Sequence, residues 1–286
     1  MWSTLRANHT WRGAAGARAP VASAAVRLGL ATDLHLTPEP RTGHWNFDVR
    51  YDRALDRLAA ALAWFGEREV DAVLILGDLT EEGDLASLHR ALDALRAGTP
   101  ADAYVLGGNH DGPLLDALRD AVAPPVAVLD ELTGADGVLL LGRHCVEVGD
   151  FRFCLPLGEL PGGDAPLVLA THFPVVSREA VVRAQELNYA GDLVDAAEAA
   201  QTLHDRPGPT VVLCGHLHVD DAYTDGTLLQ VVTPPVVEGP GTAAIVEITT
   251  DSDGGAAVHV RRELRELDGD GTSIREWTFD GARWTA

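Results

Sequence analysis

Five apolar runs in this chain each stop abruptly at a short polar segment built from aspartate, asparagine and histidine. Val26 to Ala31 leads into Asp33-Leu34-His35, Val70 to Leu76 into Gly77-Asp78, and Ala103 to Leu106 into Gly107-Gly108-Asn109-His110-Asp111. Leu167 to Ala170 precedes His172, and Thr210 to Leu213 precedes Gly215-His216-Leu217-His218. Short runs of leucine and β-branched residues bounded by polar residues are the pattern of strands buried on both faces. Helical periodicity lies between them, at Tyr51 to Phe65 and at Leu85 to Ala97, where Leu85, Leu88, Leu92 and Leu95 share one face. That alternation predicts βαβ units and a parallel sheet, and ligand sites of such sheets gather at the carboxyl ends of the strands.

The middle of the chain changes character. Val138 to Leu141, Cys145 to Val148 and Phe151 to Leu155 read as short antiparallel strands, with Gly149-Asp150 as a two-residue hairpin turn. This turn pairs Val148 with Phe151, Glu147 with Arg152, Val146 with Phe153, and Cys145 with Cys154, giving one apolar face and one opposed charge pair. Helical stretches follow near Arg178 to Leu187 and Leu193 to His204. The tail is strand-rich, at Thr227 to Val232, Ala243 to Ile248, Ala256 to Val260 and Ile274 to Phe279. Residues 26–286 read as a single domain. Residues 1–25 carry Arg6, Arg12 and Arg18 with no acid and lack the apolar core of a secretion signal, so they read as a disordered basic leader.

Arginine supplies all 22 positive charges against 43 acids, for a net charge of −21. The absence of lysine excludes phosphate-loop NTPases and Schiff-base chemistry. So acidic a chain has no counterion-release drive toward long nucleic acid. Three cysteines do not make a disulfide framework, and the reducing cytoplasm is the expected compartment, with Cys145 and Cys154 as thiols. No apolar stretch reaches the length of a membrane span, roughly 18 residues. Oligomeric state is not encoded in any feature of the sequence.

The five polar segments together offer imidazole, carboxylate and amide oxygen without cysteine. Such donors suit iron, manganese or zinc and argue against a closed structural zinc site. Their number exceeds what one tetrahedral ion needs, so two ions sharing a carboxylate are expected.

The ordered set D-x-H, GD, GNHD, H and GHxH, from Asp33 to His218, resembles the calcineurin-like metallophosphoesterase family. Gly77-Asp78-Leu79-Thr80 followed by Glu81, Glu82 and Gly83 further resembles its bacterial branch of cyclic-nucleotide and glycerophosphodiester phosphodiesterases. The resemblance implies an α/β four-layer sandwich, two mixed sheets packed face to face with helices outside. It implies that Asp33, His35 and His218 hold one ion, that Asn109, His172 and His216 hold the other, and that Asp78 bridges them. The expected activity is hydrolysis of a small phosphodiester by a metal-activated hydroxide, with a phosphomonoesterase or a non-catalytic metal-binding scaffold as alternatives. His110, beside a ligand and not needed as one, is the expected proton donor to the leaving alkoxide.

Other features have plainer readings. Asp111-Gly112-Pro113 reads as a helix N-cap before a starting proline, and only second as an orienting partner for His110. Glu81, Glu82 and Asp84 read as solvating the N-terminus of the following helix. His44, Trp45 and Phe47, in the loop from Leu36 to Arg50, read as hydrophobic anchors rather than a substrate lid. Asn188 and Tyr189 read as a helix end with Gly191 in the turn. Cys214 reads as a small buried strand residue, and His9, His89, His144, His204 and His259 as ordinary core or surface histidines.

Overall fold

The structure, a computed structural model, describes residues 23–39, 43–44, 48–130, 133–135, 137–186, 191–251 and 257–286. The proposed leader up to residue 22, the loop residues Trp45 and Phe47, and Asn188 and Tyr189 lie outside the described residues.

Strand Ser23–Ala31 pairs in parallel with Ala72–Ile75, which is followed outward by Asp102–Val105 and Val126–Val128. On its other side it pairs antiparallel with Thr242–Asp251, and that strand continues into Ala257–Glu266, Thr272–Asp280 and Trp284–Thr285. The first strand thus begins at Ser23, three residues before the apolar run, because Ser23 to Ala25 find partners at Thr249 to Asp251. The second sheet runs in the order Asp221–Asp225, Leu228–Val232, Thr210–Cys214, Leu167–Ala170, Val138–Gly142 and Thr133–Ala135, with four parallel strands between two antiparallel edges. Both sheets are mixed, as expected.

The sheets face one another across a core of Leu28, Leu30, Leu74, Val168, Val211, Leu213, Leu229, Val246 and Ile248. Alternation along the strands sends the next residues outward. Val73, Ile75 and Val105 pack under Leu58, Leu62 and Phe65 of helix Ala54–Glu67 and under Leu88, Leu92 and Leu95 of helix Leu85–Gly98. Leu169 and Val212 of the second sheet pack under Ala199 and Leu203 of helix Ala196–His204, beside Phe153. Helix, sheet, sheet, helix is the four-layer arrangement, and the central strands Ala72–Ile75, Leu167–Ala170, Thr210–Cys214 and Leu228–Val232 are buried along their whole length. Among the described residues no helix is long and apolar enough to cross a membrane.

The hairpin departs from its expected register. Gly149 pairs with Arg152, Glu147 with Phe153, and Val146 with Cys154, with an irregularity between Arg152 and Phe153. The turn residues are Asp150 and Phe151, with φ of 53° and 56°, rather than Gly149 and Asp150. Two consecutive left-handed residues make a turn whose twist matches that of the strands. The shift removes Cys145 from its place opposite Cys154, and all three cysteines are free thiols. It also leaves Val146, Val148 and Phe151 exposed while Phe153 is buried, so the continuous apolar face does not form.

Candidate metal centre

All seven proposed ligands sit just past the carboxyl ends of parallel strands. Asp33 and His35 follow Ser23–Ala31, Asp78 follows Ala72–Ile75, and Asn109 follows Asp102–Val105. His172 follows Leu167–Ala170, while His216 and His218 follow Thr210–Cys214. Five of them, Asp33, His35, Asp78, His216 and His218, have φ between 45° and 69°. That left-handed region costs an L side chain roughly 1 kcal/mol or more, and such conformations concentrate where function imposes them.

The two buried carboxylates each keep one oxygen for the scaffold and turn the other inward. Asp33 Oδ2 accepts from the Thr32 hydroxyl at 2.7 Å and the His216 N–H at 3.1 Å. Its Oδ1 stands 3.2 Å from His218 Nε2 and 3.7 Å from His35 Nε2. Asp78 Oδ1 accepts from the His110 N–H at 2.9 Å, while Oδ2 lies 3.2 Å from His172 Nε2 and 3.6 Å from His35 Nε2. Asn109 Oδ1 is 3.0 Å from His172 Nε2. The donor atoms of Asp33, His35 and His218 lie within 4.8 Å of one another, as do those of Asp78, His172 and His216. The loops therefore bring these seven side chains around one space, with Asp78 between two donor sets.

The residues fit a pair of cations. Asp33 Oδ1 and His35 Nε2 are buried without a hydrogen-bond partner, and they face each other across the distance a shared ion would span. Imidazoles bound through Nε2 need their Nδ1–H engaged elsewhere. His35 Nδ1 donates to Glu81 Oε2 at 2.7 Å, and Tyr51 donates its hydroxyl to Glu81 Oε1 at 3.0 Å. His218 Nδ1 donates to Glu238 Oε1 at 2.5 Å, and His172 Nδ1 to the Leu76 carbonyl at 2.8 Å.

Charge is distributed accordingly in the metal-free chain. Burial opposes ionisation of Asp33, yet His218, His35 and His172 hold its carboxyl well below the usual range. Burial likewise opposes charge on Asp78, whose carboxyl is lowered by His172 and His35. Against the same burial, Asp78 pushes His172 up to about 9, and Asp33 with Glu238 pushes His218 up to about 9. His216 goes the other way. Burial and the neighbouring His172 push it down to about 3, and its ring lies 3.8 Å from that of Phe173.

His110 lies at the edge of the centre, about one third exposed. Its Nδ1–H donates to the Glu81 carbonyl at 2.7 Å, and its ring meets that of His35 edge-on at 4.7 Å.

Several plainer readings are corrected here. Asp111 precedes a one-turn helix at Gly112–Leu114 but makes no capping bond to it. Its buried carboxylate instead accepts from Leu79 N–H, Thr80 N–H, Thr80 hydroxyl and Gly108 N–H, at 2.8 to 3.1 Å. Nor does it orient His110, whose ring is held by residue 81. Glu81 turns its carboxylate to His35 and Tyr51 rather than to a helix end, while Asp84 caps the following helix as expected, accepting from Ser87 N–H at 2.8 Å. The helix expected over Arg178 to Leu187 covers Glu179–Ala184, and Gly191 serves close packing, since a side chain there would strike His216 and Leu217. Among the described histidines outside the motifs, His144 has a structural contact. His144 Nδ1 accepts from Gly107 N–H at 3.2 Å, and buried Cys214 fills its strand.

Sequence reasoning missed Glu238 and the role of Glu81. Glu238 belongs to a segment laid beside the Asp33 loop, where Val236 N–H donates to Thr32 and Val237 N–H to Asp33 carbonyls. Buried Arg57 fixes that segment by donating to the Val236 and Val237 carbonyls at 2.9 and 2.6 Å. Glu81, three residues after Asp78, carried the one usable signal.

Residues 26–220 match the sequence model of a family described as calcineurin-like phosphoesterase. No curated protein sequence matches the chain. A dimetal phosphatase from Danio rerio superposes with a TM-score of 0.57 at 16% identity, covering 86% of this chain and 98% of that one. A protein from Staphylococcus aureus assigned as a 5′-nucleotidase gives a TM-score of 0.51 at 13% identity, covering 87% of this chain and 55% of that one. Likeness at these identities is likeness of fold.

Proposed function

The chain belongs to the calcineurin-like phosphoesterase family, and on that premise we propose that it is a dinuclear metal-dependent hydrolase of small phosphodiesters. The position of Asp78 carries this reading, its Oδ2 within 3.2 Å of one donor set and 3.6 Å of the other. Asp33, His35 and His218 would hold one ion and Asn109, His172 and His216 the second, with Asp78 shared. Iron, manganese and zinc all suit these donors. When bound, the two ions supply Lewis acidity toward a phosphate and acidify water.

The chain's own groups do the rest. Because the Glu81 carbonyl can only accept, His110 Nδ1 keeps its hydrogen and Nε2 is left to give or take a proton. An imidazolium at His110 would protonate the departing alkoxide from Nε2. Glu81 and Glu238 keep His35 and His218 turned with Nε2 inward. The preference for a diester of cyclic-nucleotide or glycerophosphodiester type is supported by the Gly77-Asp78-Leu79-Thr80-Glu81 segment and its resemblance to that bacterial branch. Three free thiols support a reducing, cytoplasmic setting.

The test is chelation followed by assay on bis(p-nitrophenyl) phosphate and p-nitrophenyl phosphate. Turnover should vanish with the metal and return on its addition, with the diester preferred. Undiminished hydrolysis by metal-free protein overturns the reading, and preference for the monoester replaces the diester with a monoester substrate.

A further inference from the structure

Arg262 occupies a position that alternation assigns to the apolar core. It stands on strand Ala257–Glu266 between Val260 and Leu264, whose side chains enter the core between the sheets, and it is itself 0% exposed. Its Nη2 lies 2.6 Å from Asp220 Oδ1, and none of its three guanidinium nitrogens makes a well-aligned hydrogen bond among the described residues. A buried charge with so few hydrogen bonds is a poor device for stability, since an apolar side chain of similar size often serves as well or better. What the ion pair does supply is a fixed place for Asp220.

Asp220 closes the loop that carries two of the proposed ligands. It follows His218 by two positions, and the residue between them, Val219, is buried with Cys214, Leu217 and Val232. Arg275, the cross-strand partner of Arg262, donates to Asp220 Oδ2 at 3.3 Å. Both arginines belong to the first sheet, whereas Asp220 leads into the edge strand Asp221–Asp225 of the second. The clamp therefore fixes the loop across the gap between the sheets.

The neighbouring Asp221 pairs with Arg178, whose guanidinium lies 5.0 Å from the centre of the Tyr223 ring. Arg178 ends the segment after His172, and Gln230 pins that segment through two hydrogen bonds with the Val176 main chain, at 2.8 and 3.0 Å. The far end of the histidine loop is thus held from three sides. Its near end is held by the main chain, Gly215 N–H donating to the His172 carbonyl at 3.0 Å and Thr233 N–H to the Cys214 carbonyl at 2.8 Å. Between these holds, His216 and His218 keep left-handed φ of 69° and 56°, which persist only where the surroundings impose them.

We propose that Arg262 and Arg275, acting through Asp220, are positioning residues that hold His218, and the loop it shares with His216, at the candidate metal centre. Both arginines lie beyond residue 220, where the match to the family model ends, so the clamp belongs to the C-terminal strands of this chain. The proposal rests on the dinuclear reading and adds to it the residues that set the ligand loop.

Chelator competition with manganese and with zinc, alongside thermal unfolding of the metal-free protein, tests it. Arg262→Met keeps most of the bulk and leaves Asp220 partly exposed and paired with Arg275. This variant should melt no lower than the parent, yet its metal Kd should rise about tenfold. Asp220→Asn should weaken metal binding to a similar extent. The two substitutions together should weaken it no further than either alone, because both break one link. Arg275→Gln, which alters the half-exposed arm, should raise Kd about threefold with no change in melting temperature. An unchanged Kd in Arg262→Met, a melting temperature that falls with its affinity, failure of that variant to fold, or additive losses in the double variant each overturn the clamp alone. A parent protein that takes up neither manganese nor zinc overturns the dinuclear reading, and the clamp with it.

Discussion

Asp111 Oδ1 accepts from Thr80 twice, from the main-chain N–H at 2.9 Å and from the hydroxyl at 2.8 Å. With Oδ2 taking Leu79 and Gly108, one buried carboxylate ties the Asp78 loop to the Asn109 loop. Burial and the nearby Asp78 raise its carboxyl even so. Asp111→Ala should therefore lower stability by about 3 kcal/mol, because four donors lose their acceptor inside the protein. Urea unfolding measures this, and metal content should fall in parallel. A stable variant with full metal would show that the two loops hold their positions independently.

Protonation and metal binding should oppose each other. In the metal-free chain His172 and His218 sit at about 9, above the 6.5 of an ordinary histidine. A raised folded value stabilises fully below 6.5 and loses that effect as pH rises through 9. Metal-free protein should accordingly melt lower at pH 9 than at pH 7. An ion must displace those protons, so metal affinity should rise over the same interval. Titrations in buffers of different ionisation heat should detect proton release of about two per centre. A pH-independent affinity would contradict the ligand assignment.

Glu238→Gln keeps an acceptor for His218 Nδ1 but removes its charge. Metal affinity should drop roughly 10- to 100-fold, the usual consequence of losing a carboxylate behind a ligating imidazole. Chelator competition reads the change. Glu81→Gln should act likewise through His35 while leaving His110 oriented, because His110 bonds to the main chain of residue 81.

Asp78→Ala and His110→Ala should separate binding from chemistry. The first should lose both ions and nearly all turnover. The second should retain metal by elemental analysis and slow turnover by about 10² to 10⁴. Normal turnover in His110→Ala would remove His110 from proton transfer.

Much of the fold was legible because burial on both faces writes itself as unbroken apolar runs. Leu167–Ala170 appears in the structure with the bounds its sequence suggests. The seven ligand candidates were legible because each run ends where its polar residues begin. The hairpin register was not, since apolar alternation favoured pairing Phe151, whereas the chain places this aromatic in a left-handed turn position that few such residues adopt. Glu81 and Glu238 were obscure for another reason. Their partners His35 and His218 are 46 and 20 positions away, and a carboxylate aimed at an imidazole leaves no local pattern. Arg57 is a similar case, its guanidinium reaching carbonyls about 180 positions distant.

The left-handed backbone at residues 33, 35, 78, 216 and 218 sets heat resistance against activity. Glycine would relax each of those peptides, by roughly 1 kcal/mol apiece, and would delete a donor every time. Populations of this gene selected for thermal survival without a demand for turnover would drift toward glycine there first. The same five codons are where a lineage abandoning hydrolysis would gain robustness soonest.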